Sequence, residues 1–369
     1  MRPVLIRFPA LGDTVLLTTL IQALSQRHGQ PVDLLASGEW VRPLLAAHPD
    51  VGDIHLVSSR RAPYWLTPSQ WSAVRWLSER RGAPVYDAER DPHARHLLER
   101  AGIPDAHVLR AWDHPPAATQ HWCDWWQDVA ARSPAGLPGP AVPPWPPALT
   151  SLHLSPHDAV QAEAWLSRQP WKDRRLVLLQ AGHKKTAKRG QIGTRHHAKH
   201  WPASRWAACA REILETDLRV QLLLCGSPRE HRLVEQIRLA LPAPLRERCT
   251  NLSRELPLPR LMVLARQASR MLSVDTGPAH VAAAMDCPML VLFGGFGIQR
   301  WKPRAPRSQV MALGPAHDGE GRLEDLSVEE VMAAWHQLAE RAPAGCASSA
   351  SRSGVAVDLR VSAHADTCV

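Results

Sequence analysis

Hydrophobic residues near the start of the chain form short continuous runs separated by a stretch with helical spacing. Residues 4–8 are an apolar run between two prolines, a pattern typical of a buried strand. At 14–29, apolar residues recur every three or four positions up to Gly29, which predicts a helix that ends at this glycine. Further strand-like runs lie at 32–37 and 54–59. Strands that alternate with helices predict a parallel sheet flanked by helices.

A second series of the same kind follows a proline-rich connector. Seven of the fourteen residues at 134–147 are proline, so we expect neither a helix nor a central strand there. Helices and strands are then predicted to alternate, at 156–168, 176–180, 202–214, 219–225, 258–267, 270–275, 278–285, 289–295 and 328–341. The pattern therefore predicts an α/β protein with two doubly wound units.

Composition and charge exclude several classes of protein. The 369 residues suffice for about two domains, and no apolar run is long enough for a spanning helix. We read no signal peptide at the start of the sequence. The seven cysteines are widely spaced and form no CxxC pair, so neither disulfides nor a cysteine-based zinc site are expected. A reduced, cytoplasmic protein is the expectation.

The positive charge is concentrated in one segment. The formal net charge is +9, and residues 172–200 contain nine Lys or Arg but only one acidic residue. This basic loop, which we take as residues 182–202, is either a solvated surface or an anion site. Its place after a predicted strand and its internal glycines favour the anion site. Dinucleotide and P-loop motifs are absent, and a single loop without RNA-reading aromatic residues does not favour nucleic-acid binding.

Two further loops follow predicted strands, at the sheet edge where open parallel sheets bind ligands. Asp13 comes directly after Gly12 and is either the N-cap of the next helix or a functional carboxylate. At 273–280, Asp275 ends a strand, and the next two residues begin a helix with free amides suited to phosphate. An ordinary capped helix fits that second loop equally well.

The histidines of the basic loop raise the alternative of a metal site. His196 and His200 have the spacing that places two rings on one face of a helix, and His197 is adjacent. However, no acidic or cysteine ligand is nearby, and the helix is predicted to begin after them, at Pro202. We therefore expect no metal.

Taken together, several motifs resemble glycosyltransferase family 9, the ADP-heptose:lipopolysaccharide heptosyltransferases. They are LIRFPALGDTVLLTTLIQAL at 5–24, KHWP at 199–202, GSPRE at 226–230 and SVDTGPAHVAAAMDCPMLVLFG at 273–294. The resemblance extends from residue 3 to about residue 305. It implies a GT-B architecture of two Rossmann-like domains facing a cleft. The implied divisions are an acceptor-binding domain at 1–133, a connector and linking helix at 134–170, a nucleotide-sugar-binding domain at 171–342, and a disordered tail at 343–369.

The resemblance also implies an activity. Family members transfer heptose from ADP-heptose to an inner-core lipopolysaccharide acceptor, with inversion and without a metal or other cofactor. Matching positions make Asp13 the general base and Lys199 a cation for the departing ADP. Donor contacts are expected from Gly12, Thr194, Ser227, Glu230, Asp275, Thr276, Gly277 and His280.

The acceptor implied by the resemblance is lipid-linked and acidic, so peripheral contact with the cytoplasmic face of the inner membrane is expected. Arg60 and Arg61 are the candidate acceptor contacts. The nearby Trp65, Trp71 and Trp76 either bind sugar or lipid headgroups or belong to the core. Their spacing does not place them on one face of a helix, so the pattern leaves both alternatives open.

Some positions depart from the family pattern. Gly294-Gly295-Phe296-Gly297 replaces a Gly-Pro-Thr-Asp-type turn, NLSRELPL at 251–258 replaces a Leu-x-Gly-x-Thr pattern, and the basic loop is longer than usual. These changes leave open a transferase that uses another nucleotide sugar. A non-catalytic binding protein with the same fold is the second alternative, against which Asp13 argues.

Overall fold

A computed structural model describes residues 1–58, 64–183, 187–188, 191–192 and 197–341. The strands are β1 Val4–Ile6, β2 Val32–Ala36, β3 Val51–Leu56, β4 Val85–Asp87, β5 Val108–Arg110, β6 Arg175–Gln180, β7 Ala187–Lys188, β8 Gln191–Ile192, β9 Val220–Leu224, β10 Cys249–Asn251, β11 Arg270–Val274, β12 Met289–Leu292 and β13 Val310–Leu313. The α-helices are α1 Leu11–Leu16, α2 Thr18–His28, α3 Val41–Leu45, α4 Pro68–Ser78, α5 His93–Ala101, α6 Trp122–Ala130, α7 Pro156–Ser167, α8 Ala203–Thr216, α9 His231–Leu239, α10 Ala243–Arg246, α11 Leu258–Gln267, α12 Gly277–Ala284, α13 Ile298–Trp301 and α14 Val328–Gln337.

The first half of the chain forms a five-stranded sheet in the order β3-β2-β1-β4-β5. Its pairings are parallel, and Leu5 in β1 lies opposite Leu34 in β2 and Tyr86 in β4. β1 and β2 are buried along their whole length, which explains why their sequences are mostly apolar rather than alternating. The carboxyl ends of β1 and β4 therefore meet at one edge.

The second half forms a six-stranded parallel sheet in the order β10-β9-β6-β11-β12-β13. The connector at 134–147 contains no helix or strand, as predicted. Arg27 at the end of α2 holds it in place, because its guanidinium donates to the carbonyls of Ala130, Arg132 and Pro140. The chain thus has the two predicted α/β units, each built on its own sheet.

The predicted helix at 14–29 is two helices, α1 and α2, which meet at Leu17. The hydroxyls of Thr18 and Thr19 donate to carbonyls three residues earlier, a bond that bends helices. The predicted end is correct, since Gly29 has a φ of +64°, a left-handed conformation that suits glycine.

Some predicted elements shift, and others were missed. The strand predicted at 54–59 spans Val51–Leu56. The missed elements include the three-residue strands β4, β5 and β10, and the helix α6. Within the described ranges, no helix is long and apolar enough to cross a membrane.

Candidate active site

The two halves of the chain touch where the start of α1 meets the start of α12, and glycines make this contact possible. A Cβ on Gly277 would lie 2.7 Å from Cδ2 of Leu11, and a Cβ on Gly12 would lie 3.1 Å from Cδ2 of His280. Both distances are shorter than ordinary van der Waals contact. Gly12 and Gly277, both predicted site residues, therefore allow the backbones of the two halves to approach.

Asp13 lies in the first turn of α1, one residue beyond this contact. Its Oδ2 accepts a hydrogen bond from the backbone N–H of Ala10 at 3.4 Å, so it helps to cap α1 from inside the helix rather than as the N-cap. Burial raises the pKa of Asp13 above its ordinary value. The guanidinium of Arg7 opposes this rise, whereas the carboxylates of Glu89 and Asp275 add to it. Asp13 is thus a half-buried carboxylate that is prone to accept a proton.

Asp13 opens onto a cleft of about 190 Å³. The cleft lies where helices α1, α6 and α13 meet the segments that follow β1, β4 and β5. Its lining combines four indole rings with two guanidinium groups: Arg7, Asp13, Leu16, Arg90, Trp112, Trp122, Trp126 and Trp301. Most of the lining comes from the first half, but Trp301 comes from the second, and its ring lies 5.2 Å from that of Trp122. A pocket of this kind suits a ring-shaped ligand with hydroxyl or acidic groups.

Lys199 and Asp275 form a buried ion pair in the second half. Nζ of Lys199 donates to Oδ2 of Asp275 at 2.5 Å and to its backbone carbonyl at 2.9 Å, and the side chains are only 14% and 6% exposed. Burial raises the pKa of Asp275, while the Lys199 ammonium opposes that rise. The ring of Phe296 lies 4.3 Å from the same ammonium. Two residues distant in sequence and predicted for the donor site are thus in direct contact.

His280 and the start of α12 complete this region. His280 is buried, and burial together with the Lys199 charge lowers its pKa to about 3, so the ring is neutral. Its Nε2 lies 3.8 Å from Oδ1 of Asp275, and its buried Nδ1 has no hydrogen-bond partner among the described residues. Thr276 is the N-cap of α12, but its side chain does not cap the helix. The amides of Thr276 and Gly277 are at a helix start, where intrahelical partners are lacking.

Ser227 and Glu230 form a compact turn after β9. Oε2 of Glu230 accepts from the backbone N–H of Ser227 at 2.6 Å and from its hydroxyl at 2.7 Å. Glu230 also packs against Gly182, which follows the neighbouring strand β6. The predicted turn thus lies at the carboxyl edge of the sheet, together with Asp275 at the end of β11, on the other side of β6.

A second contact between the halves borders the cleft. The guanidinium of Arg304 forms two parallel hydrogen bonds with the carboxylate of Asp124 in α6, at 2.6 and 2.7 Å. Nε2 of His121 bonds to the carbonyl of Lys302 at 2.8 Å, and burial lowers the pKa of His121 to about 4. A neutral His121 therefore donates from Nε2 while Nδ1 accepts from the amide of Cys123. These bonds fix α13 and Trp301 against the first half.

Several predicted residues lie outside the described part of the chain. These are Arg60, Arg61, Thr194, His196, the side chain of Trp65, most of the basic loop and the tail at 343–369. Trp71 and Trp76 do not line the cleft. Trp76 is buried and donates to Oδ2 of Asp53 at 2.6 Å, so it belongs to the core, and Trp71, 47% exposed, donates to the carbonyl of Tyr64.

The remaining loop histidines have local partners. The ring of His197 packs on that of His183 at 4.8 Å, and Nε2 of His200 lies 3.7 Å from Oε1 of Glu324. Among the residues that the structure describes, no group of three or more His, Cys, Asp or Glu side chains could hold a metal ion.

Comparison with known proteins identifies the family. Residues 155–324 match the model of glycosyltransferase family 9 (heptosyltransferase). The lipopolysaccharide heptosyltransferase 2 of Salmonella typhimurium is 23% identical over 318 residues, which cover 82% of this chain and 85% of that protein. Residues 155–324 thus form a glycosyltransferase family 9 region. The chain is therefore a glycosyltransferase, as the motifs predicted.

Solved structures of family 9 members confirm the predicted GT-B fold. The structure of the E. coli ADP-heptose lps heptosyltransferase II covers 91% of this chain and 98% of its own, with a TM-score of 0.67 and 21% identity. The family 9 glycosyltransferase from Veillonella parvula gives a TM-score of 0.70 at 16% identity, covering 91% of this chain and 96% of its own. Two Rossmann-like units facing each other are thus the architecture of this chain.

Proposed function

We propose that this enzyme transfers heptose from ADP-heptose to a hydroxyl of an inner-core lipopolysaccharide acceptor, with inversion and without a metal. The names of its relatives, lipopolysaccharide heptosyltransferase 2 and ADP-heptose lps heptosyltransferase II, support this donor and acceptor. The observation that carries the proposal is the half-buried carboxylate of Asp13, which opens onto an aromatic cleft beside the start of α12.

In this mechanism, Asp13 is the general base. An acceptor hydroxyl is a weak nucleophile, and removing its proton as the new bond forms contributes about 10²–10⁴-fold in rate. The raised pKa of Asp13 makes it a better proton acceptor than an exposed aspartate. The hydroxyl oxygen attacks the anomeric carbon, the bond from that carbon to the ADP oxygen breaks, and the proton remains on Asp13. Attack opposite the leaving group inverts the anomeric centre.

The leaving ADP gains negative charge, which Lys199 and the amides of Thr276 and Gly277 would stabilise. Asp275 holds the Lys199 ammonium at the end of β11 and would accept hydrogen bonds from the heptose hydroxyls. Thr194, Ser227, Glu230 and His280 are proposed to complete the donor site.

In this assignment, each half of the chain binds a different substrate. Residues 1–133 would bind the acceptor and residues 171–342 the nucleotide sugar, with 134–170 connecting them. We propose that the enzyme acts at the cytoplasmic face of the inner membrane, where a lipid-linked acceptor would be presented. Arg60 and Arg61 remain proposed contacts of that acceptor.

The test is transfer by the purified full-length chain. ADP-heptose and a panel of UDP-sugars are incubated with a heptose-deficient inner-core acceptor, and ADP or UDP release and product mass are measured. The anomeric configuration of the product is then determined by NMR. Transfer from a UDP-sugar alone would favour the alternative donor, a retained configuration would refute inversion, and binding without transfer would indicate a non-catalytic protein.

A further inference from the structure

The two arginines that line the cleft, Arg7 and Arg90, differ in their carboxylate partners among the described residues. Nη1 of Arg7 donates to Oε1 of Glu89 and to the carbonyl of Ala88, both at 3.1 Å. Glu89 is also fixed by the backbone amides of Phe8 and Arg90, at 2.7 and 3.1 Å. The Arg7 charge is therefore balanced by a buried carboxylate. Arg90, by contrast, forms no ion pair with a carboxylate of the described residues.

Arg90 is nevertheless held in position by an indole ring. Its guanidinium carbon lies 3.7 Å from the centroid of the Trp112 ring. Trp112 is itself fixed, because its Nε1 donates to the carbonyl of Ala88 at 3.0 Å and its ring packs on that of Trp125 at 4.6 Å. A guanidinium that lies over the face of an aromatic ring keeps N–H groups available at its edge. In the part of the chain that the structure describes, the cleft thus presents a cation that has no carboxylate partner and is held next to the indole rings.

We propose that Arg90, stacked on Trp112, binds an acidic group of the acceptor sugar, a carboxylate or a phosphate, and so determines acceptor specificity. This inference rests on the proposed function for the identity of the acceptor. A planar guanidinium matches either group with two parallel hydrogen bonds. The neighbouring indoles cover an apolar face of the sugar ring, while Asp13 in the same cleft receives the hydroxyl proton. Arg90 touches the acceptor rather than the reacting atoms, so it governs acceptor binding.

Kinetics with three acceptors test this role. The acceptors are the intact inner-core oligosaccharide, its dephosphorylated form and its carboxyl-reduced form. Arg90→Met should raise the KM for the intact acceptor about tenfold or more, as expected for a lost charge-assisted bond, with little change in kcat or in the KM for ADP-heptose. Removing the group that Arg90 binds should abolish the difference between wild type and variant, which identifies that group as carboxylate or phosphate. Arg90→Lys, which keeps the charge but not the planar fork, should be intermediate.

Arg100→Met is the matched control, since Arg100 also lies over an aromatic ring, 4.3 Å from that of Tyr64, but does not line the cleft. An equal KM effect of Arg90→Met on all three acceptors, or the same effect in Arg100→Met, would overturn the proposal.

A second experiment measures binding without catalysis. Tryptophan fluorescence is followed while one of three ligands is added: the methyl glycoside of 3-deoxy-octulosonic acid, its carboxyl-reduced form, or heptose phosphate. If the wild type fails to transfer heptose but binds one of the acids through Arg90, the proposed function fails and this inference stands. If neither acid quenches the wild type more than the neutral glycoside, this inference fails.

Discussion

Replacing Lys199 by Met removes the ammonium that pairs with Asp275 while keeping the length of the side chain. Asp275 lies at the end of β11 with its side chain only 6% exposed, and Lys199 supplies both the short bond to its carboxylate and a bond to its carbonyl. The variant therefore leaves a carboxylate buried without its counter-ion. We expect a loss of stability as well as of activity.

Protonation sets an upper limit on the part of this loss that comes from the unpaired charge of Asp275. Asp275 can always escape its unpaired charge by binding a proton, at a cost of about 1.4 kcal/mol for each pH unit above its unfolded-state pKa of about 3.9. The limit is thus about 4 kcal/mol at pH 7 and about 1.5 kcal/mol at pH 5. In the variant, the folded state binds more protons than the unfolded state, so lowering the pH restores stability.

Chemical denaturation at pH 7 and pH 5 measures both values. The double variant Lys199→Met/Asp275→Asn should recover most of the stability of the wild type at pH 7 but not its kcat, since the cation proposed for the leaving ADP is still missing. Lys172→Met, at an exposed position, is the control. If Lys199→Met is as stable as the wild type at pH 7, or is destabilised equally at both pH values, the pair is not desolvated as described.

Three further predictions concern the base and the metal. Asp13→Asn should lower kcat about 10²-fold or more with acceptor bound, measured by ADP release, and a large fall in melting temperature instead would make Asp13 a structural cap. The acid limb of the rate profile, where Asp13 must ionise, should lie above the ordinary aspartate range. In Arg7→Met this acid limb should move to higher pH, because the cation that opposes the rise in the Asp13 pKa is lost. In Glu89→Gln it should move to lower pH, because a neighbouring carboxylate is lost. Shifts in the same direction in both variants would contradict the charge balance around Asp13. Transfer should survive exhaustive EDTA treatment, and inactivation that Mg²⁺ or Zn²⁺ reverses would show a metal requirement.

The alternation of strands and helices was enough to predict two parallel sheets, but not the cleft. Arg7 and Arg90 come together because β1 and β4 are neighbours, and β4 has only three residues after Pro84, too few for a recognisable pattern. Helix α6 did carry a signal, since Trp122, Trp125, Trp126 and Val129 have helical spacing and are buried or half-buried. Sequence spacing could not predict that Trp301 packs on Trp122 from the other half.

Of the predicted site residues, Lys199 and Asp275 are in contact in the structure, whereas Asp13 is the one that lines the described cleft. Asp275 directly follows β11, and its neighbour β6 leads into the loop that carries Lys199, so both residues belong to the same half of the chain. The cleft depends instead on loops and helices from both halves.

Under the proposed function, the placement of Asp13 separates the chemistry of transfer from acceptor specificity. The segment that matches the family model, 155–324, contains Lys199 and Asp275, whereas Asp13 and most of the cleft lining precede it. Asp13 lies close to the start of α12 because Gly12 and Gly277 carry no side chains, and a Cβ at Gly277 would lie 2.7 Å from Cδ2 of Leu11. The aromatic walls of the cleft have no such constraint, since their residues need only fill the space around an acceptor. Under the proposed function, changes in acceptor preference should therefore arise in Trp112 and its neighbours, whereas Gly277→Ala should lower kcat, measured by ADP release, because its Cβ would press on Leu11.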